Sequence, residues 1–189
     1  MRRLKLQMQV SIDGMVGART QRDRGHFNWD EEVRQYSTAN VANVDCILLG
    51  RKTATGFIPH WKSVADNPKD ADFEFGKLLT DIHKVVFSST LQKSEWPNAT
   101  VVNGEIADSV NHLKKQTGKN LLVYGGNTFV ASLIEHNLVD EYHLLVNPVA
   151  LGGGLTIFTG LVDTLRLNLV ANKEFSCGTV LLCYEPSRD

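Results

Sequence analysis

Three segments of the sequence end an apolar strand pattern in residues that can bind phosphate. In the last of them, the apolar run 121–124 stops at Gly125-Gly126, and a helical pattern begins at Asn127. A helix N-terminus presents unpaired backbone N–H groups and the positive end of the helix dipole, and glycine lets the backbone approach a ligand closely. This junction is therefore suited to a phosphate or a pyrophosphate.

The other two segments supply cations and small hydroxyl groups. They read Gly50-Arg51-Lys52-Thr53 and Ser88-Ser89. Arg51 can bind a phosphate through two parallel N–H donors, and Lys52 can add a point charge. Ligands of open α/β sheets bind beyond the carboxyl ends of the strands. The three strand ends together therefore predict a site for one elongated ligand with several phosphates, for which a dinucleotide is the obvious candidate.

Each feature alone also has a structural explanation. A Gly-Gly pair suits a tight connection, Arg51-Lys52 can be a solvated pair, and Ser88-Ser89-Thr90 can be turn or capping chemistry. Their occurrence at three consecutive strand ends favours the nucleotide site. Two common nucleotide motifs are excluded, because no Gly-x-x-x-x-Gly-Lys-Ser/Thr string occurs and no Gly-x-Gly-x-x-Gly follows the first strand.

Length and composition indicate one ordinary globular domain. The chain has 189 residues, of which 42% are apolar and 22% charged, so we expect a single domain over 1–189 and no membrane span. The net charge of −1, with both signs scattered, gives no reason to expect nucleic acid as a partner. Three cysteines without a Cys-x-x-Cys pair indicate no disulfide framework and no metal site, and predict a reducing, cytoplasmic location.

Apolar periodicity predicts strands that alternate with helices and then a pair of strands. A polar, Pro-containing loop is predicted before the helix near 70–80. The strand patterns lie at 4–12, 46–49, 85–87, 100–102, 121–124, 140–147, 165–171 and 179–185, and the helical patterns at 30–41, 70–80, 106–113 and from 127 onward. The last two strands read as an antiparallel pair. This order predicts an α/β domain with a mixed, mostly parallel sheet.

In order and spacing, the three strand ends resemble the cofactor-binding elements of dihydrofolate reductase-like enzymes. Two further strings narrow the resemblance to the reductase (C-terminal) domain of the bifunctional riboflavin-biosynthesis deaminase/reductase. They are Ser11-Ile12-Asp13-Gly14, and Asn147-Pro148-Val149-Ala150-Leu151-Gly152-Gly153-Gly154 followed by Ile157-Phe158. The resemblance covers nearly the whole chain and includes no deaminase zinc motif. It implies a stand-alone dihydrofolate reductase-like domain of three layers that forms a homodimer.

The resemblance implies NADPH as the cofactor. The cations would bind its 2′-phosphate, the glycine-rich turn would cradle the pyrophosphate, the serines would lie along the adenosine, and the end of the first strand would hold the nicotinamide carboxamide. The implied cofactor-binding residues are Val10, Ile12, Gly50, Arg51, Lys52, Thr53, Ser88, Ser89, Tyr124, Gly125, Gly126, Asn127 and Thr128.

The substrate end of the implied site is marked by fewer residues. Asp13 and Trp29 would contact the substrate, and Asp13 and Asp30 are the candidate catalytic residues. Asp30 also has a structural explanation, as a carboxylate that interacts with the dipole at the start of a helix. His26 is expected in a surface loop.

The implied activity is the NADPH-dependent reduction of a small heterocyclic substrate, most like that of 5-amino-6-(5-phosphoribosylamino)uracil reductase in riboflavin biosynthesis. Such a reaction would reduce C1′ of a ribosylamino group to the ribityl level. Two alternatives stay open. Dihydrofolate reductase activity is one, although no carboxylate on the first helix stands in the register that pterin binding needs. A non-catalytic nucleotide-binding protein is the other.

Overall fold

The computed structural model describes residues 1–18 and 27–187, so the predicted surface position of His26 lies outside the described residues. The strands are β1 (Leu4–Ser11), β2 (Gly17–Ala18), β3 (Val44–Gly50), β4 (His83–Phe87), β5 (Ala99–Val102), β6 (Asn120–Val123), β7 (Glu141–Asn147), β8 (Gly154–Leu155), β9 (Leu167–Glu174) and β10 (Val180–Pro186). The helices are α1 (Glu31–Val41), α2 (Arg51–Ala65), α3 (Phe73–Asp81), α4 (Ile106–Lys115) and α5 (Asn127–Glu135).

Eight of these strands form one sheet in the order β5-β4-β3-β6-β1-β7-β10-β9. All neighbours from β5 to β7 are parallel, whereas β10 is antiparallel to both β7 and β9. The short strands β2 and β8 pair with each other. The predicted class is confirmed: the sheet is mixed and mostly parallel, and it ends in a C-terminal antiparallel pair.

Helices cover both faces of the sheet, which gives the three layers. On one face, Val123 of β6 packs in a cluster with Leu133 of α5. On the other face, Leu122 packs in a cluster with Ile58 of α2 and Leu79 of α3. Because successive side chains of a strand point to opposite faces, a central strand covered on both sides must be apolar throughout. This explains the continuous apolar run that precedes the glycine-rich turn.

The sequence patterns predict no helix between the strand at 46–49 and the helix near 70–80, and this is wrong, because α2 occupies Arg51–Ala65. The loop predicted before the helix near 70–80 is confined to residues 66–72, and α2 continues through Pro59. Pro59 has no N–H to donate to the preceding turn, which normally weakens a helix. The helix persists because Phe57, Ile58 and Trp61 all pack into the core between α2 and the sheet.

Polar side chains fix α1 against β1. Gln7 Nε2 donates to Ser37 Oγ at 2.8 Å, and Asn40 Nδ2 donates to Gln7 Oε1 at 2.7 Å. All three residues are buried, and buried polar groups are tolerated where they are hydrogen-bonded. Lys5 Nζ extends the network by donating to Asn40 Oδ1 at 3.2 Å. These bonds set the position of α1, and with it the segment that carries Trp29 and Asp30.

Across residues 1–18 and 27–187, no helix combines the length and the hydropathy that a membrane span requires. The longest helix has 15 residues. It is therefore about 22 Å long, shorter than the ~30 Å hydrocarbon core of a bilayer.

Candidate functional site

A cavity of about 600 Å³ lies where β3, β4, β5 and β6 reach their carboxyl ends. We call it the first cavity. These four strands are neighbours in the sheet and run in parallel, so their carboxyl ends meet at one edge. The first cavity is lined by Gly50, Arg51, Lys52, Thr53, Phe87, Ser88, Ser89, Val102, Gly104, Ile106, Gly126, Asn127, Thr128, Phe129 and Ser132. The three strand ends that the sequence singles out therefore line the same space.

Three helices, α2, α4 and α5, begin at the first cavity. Helix α2 starts after Gly50 and α5 starts after Gly126, and neither start is capped by a side-chain hydrogen bond. The first N–H groups of a helix have no partner within the helix, and both dipoles place partial positive charge at these ends. The cavity is therefore bordered by backbone donors that suit anionic groups.

Gly126 is in close contact with the start of α2. Its φ is +84°, and a Cβ at this position would lie 2.6 Å from Thr53 Oγ1. Gly50 is confined less severely: its φ is −72°, and a Cβ there would lie 3.0 Å from Phe129 Cβ. The positive φ and the close contact together favour glycine at position 126. The two helix starts are thus held next to each other, with the Thr53 hydroxyl beside the turn.

Two cations stand at the first cavity without acidic partners. Arg51 and Lys52 are exposed at the start of α2. Within the described residues, no carboxylate forms a salt bridge with either side chain. Their charges are available to an anionic ligand.

The two serines differ in what they can offer. Ser88 Oγ accepts hydrogen bonds from the N–H groups of Thr90 at 3.1 Å and Leu91 at 2.9 Å, so its side chain stabilises the turn after β4. Ser89 is exposed and lines the first cavity. Of the pair, Ser89 has the more available hydroxyl.

The first cavity also has an apolar wall. The rings of Phe87 and Phe129 lie 5.0 Å apart between centroids, and Val102 and Ile106 also line the cavity. A flat, weakly polar ring can pack against such a surface. The cavity therefore combines a polar, positively charged part with an apolar part.

Four of the predicted cofactor-binding residues do not line the first cavity: Val10, Ile12, Tyr124 and Gly125. The ring of Tyr124 stacks on Phe57 of α2 at 5.9 Å, on the opposite face of the sheet from Phe129. Its hydroxyl is buried without a hydrogen-bond partner in the described structure, and burial raises its pKa. Gly125 is buried, and a Cβ there would meet nothing within 4 Å.

The end of β1 is engaged in its own turn. Ile12 N–H donates to the carbonyl of Val149 at 2.9 Å, and the carbonyl of Val10 accepts a long bond from Asn147 Nδ2 at 3.4 Å. Asp13 Oδ1 accepts from Leu151 N–H at 3.1 Å, and its Oδ2 accepts from Gly152 N–H at 2.8 Å. The segment predicted to hold the nicotinamide is thus tied to the glycine-rich turn 151–154.

Hydrogen bonds to Asp13 hold its pKa below the usual range. The largest contribution comes from Ser11 Oγ, which donates to Asp13 Oδ1, and the N–H groups of Leu151 and Gly152 add to it. Asp13 is therefore an ionised acceptor near neutral pH. In the structure, Asp13 holds the turn at residues 151–152 beside the end of β1.

Asp30 caps helix α1. Its side chain accepts a hydrogen bond from Val33 N–H at 2.9 Å, and this bond is the main reason that its pKa lies below the usual range. The preceding residue, Trp29, donates from Nε1 to Asp72 Oδ1 at 3.0 Å and packs against Phe75. The capping function considered for Asp30 is present, and Trp29 lies between α1 and α3.

Within the described ranges, no group of three His, Cys, Asp or Glu side chains is placed to hold a metal ion.

Comparison with known proteins gives the family. Residues 2–181 match the RibD C-terminal domain. The chain belongs to this family. The uncharacterized protein YyaP of Bacillus subtilis (strain 168) is 31% identical over 186 residues, which cover 97% of this chain and 94% of that protein.

Solved structures of RibD-type proteins share the fold. A putative riboflavin biosynthesis protein from Shewanella sp. PV-4 aligns over the whole of both chains, with a TM-score of 0.72 and 20% identity. A diaminohydroxyphosphoribosylaminopyrimidine deaminase/5-amino-6-(5-phosphoribosylamino)uracil reductase from Thermotoga maritima has a TM-score of 0.69 and 16% identity, and the alignment covers 98% of this chain and 57% of that one. The predicted resemblance to the reductase domain is confirmed. The chain has a fold like that of the reductase domains of riboflavin biosynthesis.

Sequence reasoning did not single out Asp72, and it included Asn147 only as the first residue of the string at 147–154. Asp72 binds both Trp29 Nε1 and, at 2.6 Å, Arg34 Nε, so it anchors the start of α1 to the start of α3. Asn147 is fully buried at the end of β7, donates to Gln9 Oε1 at 2.9 Å and accepts from Asn28 N–H at 2.8 Å. The sequence did contain a signal for Asn147, because an Asn at the end of an apolar strand needs buried hydrogen-bond partners. It contained no comparable signal for Asp72.

Proposed function

We propose that this protein is an NADPH-dependent reductase of a small heterocyclic substrate. The observation that carries the proposal is the convergence, at the first cavity, of two uncapped helix starts and two unpaired cations. The confined backbone of Gly126 supports it, because close approach of backbone N–H groups is what a pyrophosphate requires. These residues fit a phosphorylated dinucleotide by their chemistry.

Specific groups have distinct tasks in this proposal. Arg51 binds the 2′-phosphate through two N–H donors, and Lys52 adds charge. The N–H groups of the first turn of α5, with Thr53 and Thr128, hold the pyrophosphate. Ser89 lies along the adenosine, whose base packs on the apolar wall. When bound, NADPH supplies the hydride, and the chain supplies orientation and exclusion of water.

We place the substrate near Trp29, Asp30 and Asp13, beyond the end of β1. Hydrogen bonds lower the pKa of both carboxyl groups, so near neutral pH they accept hydrogen bonds and do not donate protons. In the proposed site, Asp30 holds donors of the heterocycle and stabilises positive charge on the ribosylamino group. Asp13 acts through the turn that it holds. Val10 and Ile12 hold the nicotinamide end through the backbone at the end of β1, whereas Gly125 belongs to the turn that holds the pyrophosphate and Tyr124 supports that turn from the other face of the sheet.

The proposed substrate is a ribosylaminopyrimidine phosphate of the type of 5-amino-6-(5-phosphoribosylamino)uracil. Membership of the RibD C-terminal domain family supports this choice, as does the likeness to the Thermotoga maritima reductase. The reaction would break the C1′–O4′ bond of the ribose, with a proton from solvent on O4′, and add hydride to C1′ of the resulting iminium group, which leaves a ribitylamino product. Three free thiols, Cys46, Cys177 and Cys183, accord with the reducing cytoplasm as the place of action.

We further propose a homodimer that forms through β9. This edge strand has β10 on one side, and almost all its residues are exposed. Leu169 and Val170 are 52% and 56% exposed, and the register of β9 against β10 shifts at this point, where Val170 has no partner on β10. An exposed edge strand with apolar residues can pair with a strand of another chain, and a second copy of this protein would cover β9 in this way.

Transfer of deuterium from deuterated NADPH tests the function. The protein is incubated with the ribosylaminopyrimidine phosphate or with dihydrofolate, and the products are analysed by mass spectrometry. We expect one deuterium at C1′ of the ribityl product and none in tetrahydrofolate. Transfer to dihydrofolate alone would favour the dihydrofolate reductase alternative. Binding of NADPH without transfer to any member of a panel of pterins and pyrimidines would favour the non-catalytic alternative.

A further inference from the structure

A second cavity, of about 380 Å³, lies at the opposite end of β4 and β5. It is bordered by α2, the end of α3, the start of β4 and the segment before β5, and it shares no lining residue with the first cavity. Lys84 in the second cavity and Phe87 in the first are three residues apart on β4, which is about 10 Å along a strand. The two cavities are therefore separate sites.

Aromatic side chains form the walls of the second cavity. Trp61, Trp96 and Phe57 line it together with Ile58 and Leu79. The ring of Trp61 is fixed by edge contacts to Phe57 at 6.2 Å and to Phe75 at 5.0 Å. Such walls favour a flat, apolar group.

The second cavity also contains a buried cation without a counter-ion. Lys84 is 3% exposed, and its Nζ donates to the carbonyl of Thr80. In the described part of the chain no carboxylate forms a salt bridge with it; Asp81, exposed at the rim, acts only at longer range. Burial lowers the pKa of Lys84 to about 8, so it still carries charge at neutral pH.

Comparison with the other buried lysine shows what Lys84 lacks. Lys114 is also 3% exposed, but its Nζ pairs with Asp140 Oδ2 at 2.5 Å. Buried charges in proteins are normally paired, because an unpaired charge keeps the cost of leaving water. Thr80 Oγ1, also at the second cavity, is buried and has no hydrogen-bond partner in the described structure. The ammonium group of Lys84 and the hydroxyl group of Thr80 can therefore both donate a hydrogen bond to an acceptor in the second cavity.

We propose that the second cavity binds a small planar aromatic carboxylate, with its ring against Trp61 and Trp96 and its carboxylate on Lys84 Nζ and Thr80 Oγ1. The aromatic walls account for the ring, and the unpaired cation and hydroxyl account for the acid. The proposal does not depend on the reductase activity.

The test uses 2-naphthoate and its neutral analogue 2-naphthamide as probes, with binding measured by isothermal titration calorimetry. The wild-type protein should bind one naphthoate at least ~10-fold more tightly than naphthamide, as expected for a charge-assisted hydrogen bond. Lys84→Met should remove this preference while it keeps affinity for the ring. Trp96→Ala should weaken both probes and preserve the preference.

Three controls keep the result unambiguous. Arg51→Ala removes a cation of the first cavity and should leave naphthoate binding unchanged. Thermal unfolding reports whether Lys84→Met is folded, and Thr80→Val offers a second, nearly isosteric variant that should weaken naphthoate more than naphthamide. Equal affinities of the two probes for the wild type, an unchanged preference in Lys84→Met, or loss of binding in Arg51→Ala would each overturn the proposal.

Discussion

The backbone of Gly126 lies so close to the hydroxyl of Thr53 that a Cβ at position 126 would stand 2.6 Å from Thr53 Oγ1. This contact joins the start of α5 to the start of α2, two of the helix ends that border the first cavity. Its consequence is that side chains are excluded where the proposed pyrophosphate binds.

Gly126→Ala should therefore reduce both stability and cofactor affinity. The positive φ alone costs about 1–2 kcal/mol for an L-residue, and the contact with Thr53 adds to this. Gly125→Ala is the matched control for stability, because its Cβ would meet no protein atom within 4 Å. The free energy of unfolding is measured by urea denaturation, and NADPH affinity by calorimetry.

The contribution of the contact can be separated from that of φ. In a Thr53→Ala background, Gly126→Ala should cost less than it does in the wild type, since Oγ1 is gone while the backbone strain stays. If the costs in the two backgrounds are equal, the contact does not confine the turn. Gly126→Val extends the test: it should abolish NADPH binding with the fold largely intact, and retained affinity would contradict the pyrophosphate cradle.

Asp30→Asn should separate capping from catalysis. Asparagine also caps helices well, so the thermal midpoint near neutral pH should stay close to that of the wild type, whereas Asp30→Ala should lower it. If the carboxylate stabilises charge on the substrate, kcat should fall about 100-fold in Asp30→Asn. If Asp30→Asn is fully active, Asp30 caps the helix and has no catalytic role.

The pH dependence of Asp30 has a defined sign. Because its folded pKa lies below the unfolded value of about 3.9, its charge contributes stability above that pH, and the contribution is lost as the pH falls through the folded pKa. The stability difference between wild type and Asp30→Ala should therefore shrink in acid. A difference that is constant with pH would contradict the hydrogen-bonded carboxylate.

Lys84 should make the protein more stable as the pH rises. Its folded pKa of about 8 lies below the ordinary value of 10.5, so between these values the unfolded chain binds more protons. The free energy of unfolding of the wild type should thus increase relative to Lys84→Met across this window. Asp81, at the rim of the second cavity, raises the pKa of Lys84, and its effect is already contained in the value of about 8; Lys62 at the rim is present in both proteins.

Urea denaturation at a series of pH values measures this effect. Lys115→Met, a change at an exposed site on α4, is the control. Its free energy of unfolding should change with pH in the same way as that of the wild type. If the free energy of unfolding of Lys84→Met also changes with pH as that of the wild type does, the ammonium group of Lys84 is not desolvated.

Leu169→Lys should convert the proposed dimer to a monomer. A charge on β9 is costly to bury against a second copy and is a common protection of edge strands. Light scattering coupled to size exclusion gives the mass. Leu78→Lys, on α3, introduces the same change at a residue that is 38% exposed and should leave the mass unchanged. A monomeric wild type, or a dimer that survives Leu169→Lys, would contradict an interface at β9.

The sequence predicts the first cavity better than the rest of the site, for a physical reason. Parallel strands end at the same edge of the sheet, so Gly50, Ser89 and Gly126 had to meet once the strands were identified. Tyr124 was included because it adjoins the glycines in the sequence. The alternation of side chains across a strand puts it instead on the face of Leu122, away from the cavity.

Other features depend on contacts that no local pattern indicates. Asp72 binds Trp29 across 43 residues of sequence, and Lys84 is buried because α2 extends through Pro59 and covers it. The apolar strand pattern begins at Val85, so Lys84 reads as a polar flank. The second cavity could therefore be found only in the folded chain.

The proposed function rests on one claim, namely that the first cavity binds NADPH and that Arg51 recognises its 2′-phosphate. Dissociation constants of NADPH and NADH are measured by calorimetry for the wild type and for Arg51→Ala, with Lys115→Ala as a control for an exposed lysine outside the cavity. Arg51→Ala should weaken NADPH roughly 10- to 100-fold, the loss expected for a charge-assisted hydrogen bond, and change NADH less than about 2-fold. Equal losses for both nucleotides, or no loss for either, would contradict the claim.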